Sequence, residues 1–178
     1  MRRKLASRKG KKRNPLIFIV EDDNLYQEML KVQLKKLKSV NVKMFNSAEA
    51  CLRKLSKNPT VVLLDYHLGN GMNGVELLKI IKEQKPNTEV IMLSSEESDE
   101  VLYTCMKNGA FDYVRKSEGS LNRVGFLISK IIRINRLLEA QKATKKMRMI
   151  GALSLLVLAT IIAAISLEIP AFFNFSMN

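Results

Sequence analysis

Val61-Val62-Leu63-Leu64-Asp65 sets four consecutive large apolar residues against one carboxylate, and a glycine-rich loop follows at Gly69, Gly71 and Gly74. A short, uninterrupted apolar run suits a strand covered on both faces, the usual situation of a strand inside a parallel sheet. An acid just beyond such a strand sits at its carboxyl end, where open α/β sheets place their ligands. Taken alone, an acid at a strand end is most often a turn or capping residue, so the neighbouring strand ends have to decide what Asp65 is.

Working outward, strand-like and helix-like segments alternate from Pro15. Leu16–Val20 reads as a buried strand. Leu25, Met29, Val32, Leu34 and Leu37 read as the apolar stripe of a first helix with lysines opposite. Val40–Phe45 alternates as a short second strand. Ser47 can cap a helix carrying Ala50, Cys51 and Leu55 that stops before Asn58-Pro59. After Val61–Leu64 come a helix from Gly74 to about Gln84, a strand Val90–Leu93, and a helix through Val101, Leu102, Cys105 and Met106. Phe111–Val114 is a fifth strand, and a last helix starts near Gly119. Five strand–helix pairs with short connections predict an α/β fold, a five-stranded, parallel, doubly wound sheet with helices on both faces.

Charge locates the rest of the chain. The net charge is +13, but residues 1–13 carry eight basic and no acidic side chains, and residues 14–120 carry fourteen basic and fifteen acidic. Residues 121–148 carry eight basic and one acidic, and only Glu168 is charged after them. The excess therefore lies in two arms flanking a near-neutral globular unit. Residues 1–14 read as a disordered basic arm, because self-repulsion and missing apolar periodicity leave nothing to bury. Without aromatics to stack bases, that arm fits an anionic lipid surface better than nucleic acid. Cys51 and Cys105 sit within apolar patterns and read as buried small residues, not as a disulfide or metal pair. A single histidine, His67, excludes a histidine-rich metal cluster.

The last helix outruns a globular domain. Leu121, Val124, Leu127, Ile128, Ile131, Ile132, Ile134, Leu137 and Leu138 continue its apolar stripe among arginines and lysines. Lys142, Lys145, Lys146 and Arg148 thicken the charge, and Met149–Leu167 is then nineteen residues without a charged side chain. At ~1.5 Å per residue that run covers roughly 28 Å, close to the apolar thickness of a bilayer. The expected organisation is a globular domain at 15–135, a basic juxtamembrane helix at 136–148, a transmembrane helix at 149–168 and a short non-cytoplasmic tail at 169–178. The basic flank keeps the globular part in the cytoplasm, anchored to the inner membrane by one C-terminal span. Both arms would then meet anionic lipid, each Lys or Arg near the surface contributing about 1 kcal/mol. The helix past residue 130 has no partner in one chain and points to a homodimer, with Asn135 in one heptad seam.

The strand exits converge on one crevice. They offer Glu21-Asp22-Asp23 after the first strand, Asp65 after the third, Ser94-Ser95 after the fourth and Lys116 after the fifth. Carboxylates with oxygen-only ligands suit a hard divalent cation, Mg²⁺ or Mn²⁺. A hydroxyl and an ammonium opposite it suit a phosphoryl group, which leaves Asp65 as the nucleophile.

Val-Glu-Asp-Asp, Leu-Leu-Asp, Met-Leu-Ser-Ser and Tyr-Val-Arg-Lys, in this order and spacing over about residues 15–135, resemble the CheY-like receiver domain of bacterial two-component response regulators. The resemblance implies the strand order 2-1-3-4-5 and a phosphoryl group accepted on Asp65 from a histidine kinase or phosphotransfer protein. It implies that Asp22, Asp65 and the backbone carbonyl of His67 ligate Mg²⁺, supported by Glu21 and by Asp23 as an extra acid. Ser94 matches the switch hydroxyl, Tyr113 the rotating aromatic and Lys116 the phosphoryl-binding lysine. The resemblance makes the chain a phosphoacceptor with at most self-dephosphorylating activity, not a separate enzyme. No DNA-binding or cyclase-sized output region is visible, so the output is expected through an unidentified protein at the membrane. The rival readings are a receiver-like scaffold that is never phosphorylated and a basic nucleic-acid tether. Two positions depart from the family: Ser117 stands where a proline usually follows the lysine, and the loop with Gly69 after Asp65 looks one residue longer.

Overall fold

The computed structural model describes residues 14–69 and 71–175. The expected basic arm, apart from Asn14, and the last three residues of the expected tail lie outside them. Described residues up to Ile132 form one compact unit and those from Arg133 a second.

The first unit is built on β1 (Leu16–Val20), β2 (Asn41–Phe45), β3 (Val61–Asp65), β4 (Glu89–Ser94) and β5 (Asp112–Arg115). They pair in parallel in the order β2-β1-β3-β4-β5. β3 is flanked on both sides and covered on both faces, and Val61, Val62, Leu63 and Leu64 are all 0% exposed. Burying each such side chain contributes about 2 kcal/mol, so the apolar run is fixed as the sheet's central strand.

Alternate residues of the strands build two cores. Phe18, Val20, Val62, Leu64, Val90 and Met92 face α2 (Ala48–Leu52), α3 (Gly74–Gln84) and α4 (Asp99–Lys107), through Cys51, Leu77, Leu78, Ile81, Val101 and Cys105. Ile17, Ile19, Val61, Leu63, Ile91 and Leu93 face α1 (Asn24–Lys35) and the start of α5 (Ser120–Phe175), through Leu30, Leu34, Val124, Leu127, Ile128 and Ile131. Both cysteines are free and buried.

Two local expectations are corrected. The buried side of α1 is Gln27, Leu30 and Leu34, whereas Leu25 is 72% exposed and Met29 and Val32 are exposed with it. Gln27 is interior because its Nε2 donates to the carbonyls of Glu21 and Phe45, both at 3.1 Å, tying α1 to the ends of β1 and β2. The helix after Ser47 is only five residues long; Leu55 belongs to a separate 3-10 turn, Leu55–Lys57, which ends at Asn58 with φ 53°. Asn58 tolerates the left-handed conformation better than most residues and turns the chain into β3.

α5 is continuous through Phe175, so the backbone stays helical past Pro170. Among the described residues it is the one helix long and apolar enough to cross a membrane. Its residues from Met149 to Ala164 are exposed.

Candidate functional site

Because the strands run parallel, the exits of β1, β3, β4 and β5 share one edge of the sheet. Register sets their spacing: Val20 is paired with Leu64, Asp65 with Leu93, and Ser94 with Arg115. The next residue along each strand therefore lands beside its neighbour's. The backbone N–H of Lys116 donates to Ser94 O at 2.7 Å, continuing the β4–β5 ladder to the site itself.

Lys116 is the hinge of the arrangement. Its Nζ donates to Asp65 Oδ2 at 2.8 Å and to Glu21 Oε1 at 2.9 Å. Asp65 is 4% exposed and Glu21 0%, so one ammonium is shared between two buried carboxylates. Glu21 Oε2 lies 2.8 Å from the same Nζ but outside hydrogen-bonding angles, and it is a buried oxygen with no hydrogen-bond partner. The ammonium also sits 4.9 Å from the centre of the Tyr26 ring, whose hydroxyl is 3.2 Å from Ser120 Oγ. That aromatic wall was not foreseen in the sequence, and no periodic signal marks it.

The charges answer to these surroundings. Burial, then the nearby Asp65 carboxylate, push Glu21 up to about 7 against the opposing pull of Lys116. Burial alone would lower the Lys116 ammonium, but its hydrogen bonds to Asp65 and Glu21 and their charge outweigh that and hold it above its ordinary value. Burial also raises the Tyr26 hydroxyl.

Glu21, Asp22 and Asp65 each offer a carboxylate oxygen within 4.8 Å of the others. This all-oxygen donor set, in which the buried Glu21 Oε2 accepts no hydrogen bond, fits a hard cation such as Mg²⁺. The exposed Asp22 is oriented by the loop after β3, for Gly69 N–H donates to its Oδ2 at 3.0 Å. Asp23 does not join the group. Its Oδ1 accepts from the N–H groups of Leu25 at 2.8 Å and Tyr26 at 3.2 Å, so it is spent as the N-cap of α1. The group of carboxylates among the described residues is thus Glu21, Asp22 and Asp65, without the expected support of Asp23.

Ser94 and Tyr113 meet at a residue the sequence reading passed over. Glu96 N–H donates to Ser94 Oγ at 3.0 Å, and the Tyr113 hydroxyl donates to Glu96 O at 3.0 Å. The Glu96 carboxylate is also 2.6 Å from His67 Nε2, tying the β3–α3 loop to the β4–α4 loop. The ring of His67 is thus engaged by Glu96. Every peptide bond among the described residues is trans, including the one before Ser117.

The β3–α3 loop closes against Asp65. Gly74 N–H donates to Tyr66 O at 3.1 Å, and a Cβ on Gly74 would lie 2.1 Å from Asp65 O, which no side chain could occupy. Asn73 and Glu76 then start α3 with a reciprocal capping box.

A family profile described as the response regulator receiver domain matches residues 17–123. A cyclic di-GMP phosphodiesterase of Thermotoga maritima is 33% identical over 100 residues, covering 56% of this chain and 26% of that protein. The DNA-binding transcriptional regulator NtrC of Escherichia coli K12 is 31% identical over 101 residues, covering 57% of this chain and 21% of NtrC. The chain thus spans about a quarter of the length of these curated relatives. Among solved structures, the BeF3-activated receiver domain of DrrB, described elsewhere as a Thermotoga maritima OmpR/PhoB homologue, is 28% identical with a TM-score of 0.62. That likeness covers 67% of this chain and 98% of the DrrB domain.

Proposed function

Since the chain belongs to the response regulator receiver family, a family of phosphoacceptors that bind Mg²⁺ in an acidic pocket and interact with histidine kinases or phosphotransfer proteins, we propose that Asp65 is the residue phosphorylated here. The observation that carries this is the shared ammonium: Lys116 reaches the buried Asp65 and Glu21 at once, with Asp22 alongside. In transfer from a kinase phosphohistidine, an Asp65 carboxylate oxygen bonds to phosphorus as the P–N bond breaks, and the imidazole leaves with the electron pair and is protonated. Lys116 stands where it can follow the transferred oxygens. Asp22, Asp65 and the His67 carbonyl are the proposed metal ligands, with Glu21 in support. When bound, Mg²⁺ supplies positive charge to the phosphoryl oxygens.

Ser94 is the proposed switch hydroxyl. Its Oγ accepts Glu96 N–H, which leaves the Ser94 O–H to donate to a phosphoryl oxygen, so a move of Ser94 toward that group carries Glu96, to which Tyr113 is also held. Phosphorylation thereby pulls on the β4–α4 loop. Incubating the chain with Mg²⁺ and a small-molecule phosphodonor, then weighing it intact, tests the reading. One phosphoryl group gained by the natural chain and none by Asp65→Asn is expected. No gain in either would favour the unphosphorylated scaffold.

The same proposal places the protein at the inner membrane, with the receiver in the cytoplasm and one span near residues 149–168. What supports this is an uncharged apolar helix exposed on all sides, next to a basic stretch. A protein partner at the membrane is then the proposed output, and the basic arms are proposed to rest on anionic lipid. Resistance to alkaline extraction from membranes is expected; release into the supernatant would sink the anchor.

A homodimer through α5 belongs to this reading. The seam containing Asn135 meets Lys142 and Lys145 about two and three turns on. The side bearing Ala140, Thr144, Met147 and Gly151 stays free of charge and is the better seam. Disulfide cross-linking should be efficient for Ala140→Cys and poor for Asn135→Cys; the reverse would restore the Asn135 seam.

A further inference from the structure

The loop between Asp65 and α3, which carries the ligand-orienting Gly69, is gripped by a carboxylate that no role has yet been given. Glu49 stands in the first turn of α2, between the half-buried Ala50 and the buried Ala48. Its Oε1 accepts the backbone N–H of Met72 at 3.0 Å, a contact between residues 23 apart in sequence. That bond, more than any other influence, holds the Glu49 carboxyl below its ordinary range.

The loop is also tied to the β4–α4 loop by the His67–Glu96 contact and fastened at its two ends. Tyr66 N–H donates to Leu93 O at 2.8 Å and Gly74 N–H to Tyr66 O at 3.1 Å. Between those points, two described backbone N–H groups are held by carboxylates from elsewhere: Gly69 by Asp22 Oδ2 and Met72 by Glu49 Oε1, each at 3.0 Å. Gly71 records how closely the loop is drawn in. A Cβ there would lie 2.8 Å from Glu49 Oε1, and its φ of +135° already favours glycine.

From this geometry we infer that Glu49 is a positioning residue for the metal site: by fixing Met72 N–H it restrains the same loop whose Gly69 N–H orients Asp22. Partners that orient a metal ligand from outside its coordination shell are typically worth 10–100-fold in affinity. Glu49 acts one step further out, through the loop, so about 10-fold is expected on that scale. The inference rests on the reading of Asp22 and Asp65 as Mg²⁺ ligands and adds to it a residue on a different element.

The test is calorimetric titration of Mg²⁺ into the 178-residue chain in mild detergent, with thermal unfolding measured with and without Mg²⁺. Glu49→Ala should weaken Mg²⁺ about 10-fold and shrink the Mg²⁺-induced rise in Tm. Glu49→Gln keeps an acceptor oxygen for Met72 N–H and should recover most of the affinity, and it serves if the alanine variant fails to fold. Gly71→Ala should reproduce the loss, and its effect should be smaller in a Glu49→Ala background because the clash partner is gone. A merely structural Glu49 would lower Tm equally with and without Mg²⁺ and leave the affinity unchanged, which overturns the inference. A natural chain that binds no Mg²⁺ would instead overturn the metal reading beneath it.

Discussion

Two uncharged apolar stretches of this chain have opposite surroundings. Val61–Leu64 is apolar and wholly buried, with a strand on either side and a helical layer on each face. Met149–Ala164 is also uncharged and mainly apolar, yet its large side chains from Leu153 to Ile162 are 49–68% exposed. Hydrophobicity alone therefore does not say what a segment packs against. Length does part of that work, because five residues suit a strand and an uncharged helix of nineteen suits a bilayer. The remainder comes from whether the chain has other apolar surface to meet it.

The contrast can be broken most violently with a charge. Leu63→Lys puts an ammonium at a fully buried position. The effective penalty of several kcal/mol is comparable to the whole stability of a domain, so loss of cooperative unfolding in near-UV circular dichroism is expected. Leu156→Lys, at an exposed site, should leave that transition in place and show itself only in membrane insertion, by about 2.5–3.5 kcal/mol. If Leu156→Lys also abolished the transition, the two regions would not be energetically separate.

Glycine gives the next largest contrast, and with opposite sign. A Cβ at Gly74 would lie 2.1 Å from Asp65 O, whereas at Gly151 it would meet nothing within 4 Å. Gly74→Ala should cost roughly 3 kcal/mol or more, since the obstacle is backbone. Gly151→Ala should favour its helix by about 1 kcal/mol. Thermal unfolding of the first and helicity of a peptide carrying the second would measure them. Equal effects would mean that the loop after Asp65 can back away.

Cations sharpen the comparison through pH. Lys116 is paired with two buried carboxylates, while Lys142, Lys145 and Lys146 are exposed. Replacing the exposed lysines with glutamine should change unfolding by less than about 0.5 kcal/mol. Lys116→Met leaves the buried Asp65 and Glu21 without their shared cation and should cost about 3–5 kcal/mol near neutral pH, where Glu21 takes up a proton in place of the ammonium. The pH sign follows from Glu21, whose folded pKa of about 7 lies above its ordinary 4.5. The folded state then holds the proton that the unfolded state has released, so the Mg²⁺-free chain loses stability as pH rises from about 4.5 through 7. Without Lys116 the Glu21 carboxyl rises further, so the loss on raising pH continues to higher pH and is larger in total. Urea titrations at several pH values, in a metal chelator, would reveal a flat profile if Glu21 were ionised throughout.

What could be read from the chain beforehand follows the same division between local pattern and distant contact. Five apolar runs at regular spacing announce a parallel sheet, and parallel strands bring their exits to one edge whatever the details. Glu21, Asp65, Ser94 and Lys116 could therefore be placed together before any coordinates. The outward side of α1 could not. Leu25, Met29 and Val32 keep helical spacing as well as Leu30 and Leu34 do, and the side that turns inward is the one where Leu30 and Leu34 meet the core and Gln27 meets two carbonyls. Glu49 and Glu96 were invisible for a related reason. Their partners lie 23 and 29 residues away, and such pairings leave no periodic trace. The end of α2 at Leu52 likewise has no breaker in the sequence before Asn58 to mark it.

The smallest expected effect asks the same question of two adjacent acids. Asp22 and Asp23 are both exposed at the end of β1, and the sequence offers no reason to separate them. Asp22 is turned toward Glu21 and Asp65, while Asp23 is consumed by the first backbone N–H groups of α1. Asp23→Ala should then cost about 1 kcal/mol of stability, the ordinary value of an N-cap, and leave Mg²⁺ affinity within about twofold. Asp23→Asn should cost less still, because the amide oxygen can accept the same bonds. Asp22→Asn should do the converse, barely moving Tm in chelator while removing most of the Mg²⁺-induced stabilisation. Were Asp23→Asn to weaken Mg²⁺ as much as Asp22→Asn, the capping assignment would give way, and the cation would be sharing its ligands with the start of the first helix.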